Sequence, residues 1–123
     1  MPTDPPKDRH NSGGRATLYS ALKAGLHRMT AAMAAEFHDA NIAVNALAPV
    51  SAILTPGVDA LNVITEANRD RLEPIEHIAE AALALVSESP RTRTGQIAFS
   101  YQFLDAIGRP TMSLDGKSVV QAR

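Results

Sequence analysis

Residues 42–48, Ile-Ala-Val-Asn-Ala-Leu-Ala, constrain what this chain can fold into more than any other stretch. Only Asn45 interrupts the apolar run, and Pro49 stops it. A strand with one wet face alternates apolar and polar residues, whereas a nearly continuous apolar strand is covered on both faces, as in a parallel sheet. Parallel strands cannot be joined by a tight turn and need a crossover, usually helical. The flanking segments must therefore supply helices.

Upstream, the pattern turns helical from about Ala16. Leu18, Leu22, Leu26, Met29, Met33 and Phe37 recur every three or four residues and make one apolar stripe, expected to pack as core. Beside it lie Ala21, Ala24, Gly25, Ala31, Ala32, Ala34 and Ala35, small enough to let a second element approach closely. The helix is expected to end near residues 39–41, where Asn41 can take the left-handed cap conformation. Downstream, residues 58–68 show a weaker helical pattern with Leu61 and Ile64 on one side. Pro74 suits the first turn of another helix, with Glu73 and Glu76 favourably placed for its dipole. Its expected buried face is Ile75, Ile78, Ala79, Ala82, Leu83 and Val86, and it frays at residues 87–90. Thr94-Gly95 reads as a turn and residues 96–101 as a second strand. The class is α/β. Residues 1–15, with three prolines and Asn11-Ser12-Gly13-Gly14, read as a flexible lead-in; residues 16–104 form the domain; residues 105–123 read as an extended tail that packs on a neighbour.

Composition narrows the function classes. Twelve basic against 13 acidic residues leave a net charge of -1, with no basic stripe, so nothing draws the chain to nucleic acid or to an anionic membrane. The absence of cysteine excludes disulfides, thiol catalysis and cysteine metal sites, and fits a reducing compartment. MPTDPPKDRH has no apolar leader character, and no stretch approaches the roughly 20 apolar residues of a membrane span. A cytoplasmic protein is expected. With aromatics at 4% and no tryptophan, the core must come from Ala, Leu, Val and Ile, which suits close helix-on-sheet packing. His10, His27, His38 and His77 share no zinc-binding spacing, so no metal is expected, and His27 is read as a packing or intersubunit residue. Asp70, Glu73, Glu76 and Glu80 read as a solvated start of a helix rather than a catalytic dyad.

Tyr19 and Lys23 stand one helical turn apart, on one face and side by side. A free phenol ionises at a pKa of roughly 10, and an adjacent ammonium favours the phenolate. Such a pair suits proton transfer to or from an alcohol or carbonyl oxygen. Taken alone, such a pair is more often a surface contact of about 0.2–0.5 kcal/mol. The loop 49–57 lies at the carboxyl end of the expected strand, where open α/β sheets bind ligands.

The run YSALKAG, the long helix after it, IAVNALAP, and a Thr followed by Pro-Gly together resemble the carboxyl-terminal half of the short-chain dehydrogenase/reductase family, over residues 18–103. The long loop is similar to that of the hydroxysteroid dehydrogenase-like and citronellol dehydrogenase-like subgroup. The resemblance implies an incomplete, carboxyl-terminal part of a Rossmann-like parallel sheet with flanking helices. It implies an oxidoreductase that uses NAD or NADP on a small alcohol or carbonyl substrate. Tyr19 would be the acid/base, and Lys23 would hold the nicotinamide ribose and lower the Tyr pKa. Pro49, Val50, Ile53 and Thr55 would join them in contacting the cofactor. The family's usual oligomer contacts map to residues 16–41 and 74–103, so a homo-oligomer is expected. Four departures matter. Val50 stands where many members have Gly, and Thr55 lies one residue further from the Pro. No glycine-rich phosphate loop is present, and Ser12 is only seven residues before Tyr19, where the family's Ser stands more than ten before. The alternative expectation is thus a non-catalytic remnant or oligomerisation module of the same fold.

Overall fold

The structure, a computed structural model, describes residues 17–60, 62 and 64–120. The expected lead-in, with His10 and Ser12, and the expected apolar position Leu61 lie outside the described residues. In chain order the elements are α1 (Thr17–Glu36), β1 (Ala46–Ala48), α2 (Pro56–Ala60), α3 (Glu66–Arg69), α4 (Ile75–Val86), β2 (Ile97–Phe99) and α5 (Ser100–Ala106). β1 and β2 pair in parallel, with Ala46 opposite Ile97, Leu47 opposite Ala98 and Ala48 opposite Phe99. The apolar run thus enters a parallel sheet, as its composition requires, and the crossover passes through α4. This is an incomplete α/β arrangement, consistent with part of a Rossmann-like fold.

The strand is shorter than the run that encodes it. Only Ala46–Ala48 is ladder-paired, each residue is half-buried, and Ile42 is 50% exposed. Two strands make too narrow a sheet to cover seven residues on both faces. Side chains take over where the ladder stops: the Val44 N–H donates to Thr94 Oγ1 at 3.0 Å, and the Gly95 N–H donates to the Val44 carbonyl at 2.8 Å. Asn45, the polar residue of the run, donates from Nδ2 to the Arg93 carbonyl (3.1 Å) and accepts the Gln96 N–H at Oδ1 (2.9 Å). Its amide does the work of a peptide link in register with the ladder.

α1 ends near the expected place: helical bonding stops at Glu36, turns follow, and Asn41 takes φ 59° while the Ile42 N–H reaches back to the Phe37 carbonyl. Its apolar stripe, however, is not core within this chain. Leu18, Leu22, Leu26 and Met29 are exposed and Met33 and Phe37 half-buried, while the residues buried on α1 are Thr30 and Ala34. The reason is closeness of approach. His27 meets Phe99 edge-on with ring centres 6.3 Å apart, and a Cβ on Gly95, at φ +71°, would come 3.5 Å from the Ala34 Cβ. The band that faces the two-stranded sheet is His27, Thr30 and Ala34, whereas Ala21, Ala24, Gly25, Ala31, Ala32 and Ala35 stay exposed, and among the described residues no further strand lies against the bulky side.

α4 shows the same substitution of faces. Ile75, Ala79, Ala82, Leu83 and Val86 are exposed and Ile78 is half-buried, whereas His77, Glu80, Ala81, Ala84 and Leu85 are buried. The buried set still has the helical 3–4 spacing. Its alanines let α5 close in, giving a core of Ala81, Ala84 and Leu104 with Leu47 and Phe103 packed against it. Glu73 and Glu80, expected in solvent, are buried at 6% and 8% exposure, because each meets donors inside: Glu73 the loop after β1, Glu80 the Arg109 Nε at 2.6 Å. Asp70 is exposed and Glu76 half-buried.

Two further expectations change. Residues 58–68 hold two short helical pieces, the end of α2 and α3, separated by a turn at which Asn62 takes φ 52°. Of residues 96–101, only Ile97–Phe99 is strand: Ser100, fully buried, starts α5, which runs past residue 105 where an extended tail was expected. Beyond α5 the chain folds back on α4 through Arg109 and through the Met112 N–H, 3.4 Å from Glu80 Oε2. Met112 and Val119 form an antiparallel bridge across a turn at Asp115 and Gly116. Arg93 closes the other end of α4, donating to the Ala84 carbonyl at 2.9 Å with its guanidinium over the Phe103 ring.

Two outcomes follow from this packing. Leu104→Ala, at a site 2% exposed, should cost about 2–5 kcal/mol in urea unfolding, while Leu22→Ser on the uncovered side of α1 should change stability by less than about 0.5 kcal/mol. Bonds from the Ser113 hydroxyl and the Lys117 N–H hold the Asp115 carboxyl below the usual aspartate value. A depressed folded-state value stabilises the turn above the unfolded-state pKa and is lost as pH falls through the folded one. Ser113→Ala should therefore raise the Asp115 titration seen by NMR, and acid should loosen the turn at higher pH than in the parent chain.

Candidate functional site

The first turns of α1 carry Tyr19 and Lys23, and the helical spacing places the Lys23 Nζ 5.5 Å from the centre of the Tyr19 ring. Tyr19 is 64% exposed. Both side chains line a groove of about 900 Å³ between α1 and β1. α1 contributes Tyr19, Lys23, His27 and Thr30 to its wall; β1 and its ends contribute Asn45 through Pro49, and Phe99 of β2 completes it. Among the described residues no acidic side chain lines the groove, and Lys23 supplies its positive charge. A phenol that both donates and accepts, beside an ammonium with three donors and over an apolar wall, suits a ligand with oxygen at one end and a flat apolar body.

Of the residues singled out from the sequence, the fold brings Tyr19, Lys23 and Pro49 into one groove. Val50, Ile53 and Thr55 do not line it. The Val50 N–H donates to Glu73 Oε2 at 2.7 Å and to Ser100 Oγ at 3.2 Å. Ile53 is half-buried in the loop. Thr55 caps α2: its Oγ1 accepts the Val58 N–H at 3.2 Å and its carbonyl accepts the Asp59 N–H at 2.9 Å. A threonine oxygen engaged in this way stabilises a helix start by satisfying an otherwise unbonded amide.

Sequence reasoning missed two residues near the loop. Glu73 and His77 are buried side by side, with Glu73 Oε1 and His77 Nδ1 3.6 Å apart. Their i, i+4 spacing was the available signal, masked by a charged neighbourhood that reads as solvated. A second, smaller cavity of about 320 Å³ lies between α4 and the terminal hairpin, with Arg109 and Glu80 on its wall. Among the described residues no group of three or more His, Cys, Asp or Glu could hold a metal ion, and no helix is long and apolar enough to cross a membrane.

Residues 9–100, most of the chain, match the family model described as Enoyl-(Acyl carrier protein) reductase. No curated protein and no solved structure matches it. The chain belongs to this branch of the short-chain dehydrogenase/reductase family. With it comes the family's oxidoreductase-type fold, of which α1, β1, α4 and β2 lie wholly within the matched span.

The capping geometry of Thr55 can be checked directly. Thr55→Val should weaken the start of α2 by about 0.5–2 kcal/mol, read as faster exchange of the Val58 amide with the amides of α4 unchanged.

Proposed function

We propose that this short-chain dehydrogenase/reductase chain carries the acid–base part of a nicotinamide-dependent hydride transfer between a small alcohol and the matching carbonyl compound. The observation that supports it most is the pair Tyr19 and Lys23, one turn apart with Nζ 5.5 Å from the ring centre, facing one groove along β1. In the reducing direction, the Tyr19 hydroxyl gives its proton to the substrate oxygen as a hydride arrives at the carbonyl carbon. In the oxidising direction it takes that proton back. Lys23 donates hydrogen bonds to ribose hydroxyls and keeps a positive charge beside the phenol. When bound, NADH or NADPH would supply the hydride in the reducing direction, and the oxidised NAD or NADP would accept it in the other.

The residues present fit the nicotinamide and ribose end of such a cofactor. The groove volume of about 900 Å³ is in the usual range for ligand pockets, and Lys23 and Tyr19 offer donors to hydroxyls. Pro49, Val50, Ile53 and Thr55 belong to the loop assigned here to cofactor contact, with Pro49 its groove-lining member. The sequence has no G-x-G-x-x-G run, so the phosphates have no helix-start cradle among these residues.

A second reading, an oligomerisation module without catalysis, draws on the uncovered side of α1, where Leu18, Leu22 and Met29 are 73%, 66% and 54% exposed. Contiguous apolar surface of this kind marks an association site. We take the chain to be a homo-oligomer in either case and, with no cysteine in the sequence, cytoplasmic.

The test is calorimetric titration with NADH and NADPH, beside NADPH oxidation with a panel of small ketones such as cyclohexanone. The parent chain should bind one cofactor. Tyr19→Phe should bind it comparably and lose roughly 10²–10⁴-fold in turnover, and Lys23→Ala should weaken binding itself. Binding of neither cofactor, with sedimentation showing a stable oligomer, would leave the second reading.

A further inference from the structure

The loop leaving β1 is gripped by one residue of the segment before α4. Glu73 is 6% exposed. Its Oε2 accepts the Val50 N–H at 2.7 Å and the Ser51 N–H at 3.2 Å, and its own N–H donates to the Ala52 carbonyl at 2.8 Å. Three consecutive residues directly after Pro49 are therefore tied to one side chain and its backbone. Two amides on one carboxylate oxygen are charge-assisted bonds, the stronger kind.

The other oxygen presents a problem that the neighbouring helix turn solves. Among the described residues, buried Glu73 Oε1 has no hydrogen-bond partner and neither has His77 Nδ1, and the two face each other at 3.6 Å. Buried polar atoms without partners are rare, and two acceptors facing each other would repel. One proton on His77 Nδ1 turns that nitrogen into a donor aimed at the carboxylate and replaces the repulsion by attraction, across a gap slightly longer than a hydrogen bond. The His77 ring packs against Tyr101 with centres 5.7 Å apart, and Ser100 Oγ takes a share of the Val50 N–H, so α5 closes the arrangement.

We infer that Glu73 and His77 form a proton-holding clamp, and that Glu73 is a positioning residue for the groove. The peptide between Pro49 and Val50 is trans and planar, so fixing its N–H toward Glu73 fixes the Pro49 carbonyl in the opposite direction. Pro49 lines the groove, and the clamp thereby sets the orientation of a backbone acceptor at the groove's end. The consequence for cofactor affinity rests on the nicotinamide reading above; the clamp itself does not.

The test compares the full chain with Glu73→Ala, Glu73→Gln and His77→Phe by amide exchange and histidine ¹⁵N NMR. In the parent chain the Val50 and Ser51 amides should be protected at least tenfold over Glu73→Ala, with the Ala81 and Ala84 amides of α4 equal in both. Glu73→Gln should restore that protection, since its carbonyl oxygen still accepts. His77 Nδ1 should carry a proton. Where the parent binds NADPH, Glu73→Ala should weaken binding at least fivefold and Glu73→Gln should not. Should Glu73→Ala fail to fold, the parent's Val50 and Ser51 protection and the His77 nitrogen signal decide alone. Unprotected Val50 and Ser51 amides in the parent, an unprotonated Nδ1, equal protection in Glu73→Ala, or loss of protection across α4 in both Glu73 variants would each overturn the clamp. An equal NADPH affinity in parent and Glu73→Ala would overturn the positioning role. Absence of NADPH and NADH binding by the parent would instead remove the proposed function and leave the clamp to the exchange data.

Discussion

Parallel pairing of Ala46–Ala48 with Ile97–Phe99 is the interaction on which the rest depends. It joins residues about two-fifths of the chain apart, so its loop-closure cost must be met by what the crossover buries. α4 meets it by packing Ala81 and Ala84 against Leu104 of α5 and Leu47 of β1. Asn45 extends the pairing past the ladder with one donor and one acceptor on a single side chain. α1 then leans on the sheet through His27, Thr30 and Ala34, and the groove is the gap that remains between them.

Much of this was legible. The apolar run required a parallel sheet, the periodicities located both long helices, and Asn41 marked the end of the first. Tyr19 and Lys23 could be paired from spacing alone. Which face of each helix is buried was not legible, for a physical reason. Both α1 and α4 are apolar or small over most of their circumference, so periodicity offers two candidate faces, and the choice is made by how closely the partner must approach. α5 against Ala81 and Ala84 selects the small side of α4, while on α1 it is the band of His27, Thr30 and Ala34, the last beside Gly95, that meets the sheet. Likewise Ser100 alternates with its neighbours as a strand residue would, and only the space between α4 and the sheet decides that the chain turns helical there.

The buried carboxylates show the same limit. A glutamate in a charged segment reads as solvated because burial is costly without partners. Glu80 has Arg109 from the end of the chain, and Glu73 has two backbone amides from the loop after β1. Both partners are distant in sequence, and backbone amides leave no trace in composition. Long-range polar satisfaction is thus the part of this fold that local patterns do not encode.

The core itself has a thermodynamic signature. Among the described residues the buried apolar side chains are four alanines, Ala34, Ala81, Ala84 and Ala98, and two leucines, Leu85 and Leu104. Alanine permits close contact but hides little surface, so unfolding uncovers little new hydrocarbon. The heat-capacity increment and the denaturant dependence of unfolding both scale with that area. A chain assembled in this way melts over a broad interval, with a shallow stability curve, and gains sharpness only when further apolar surface is covered.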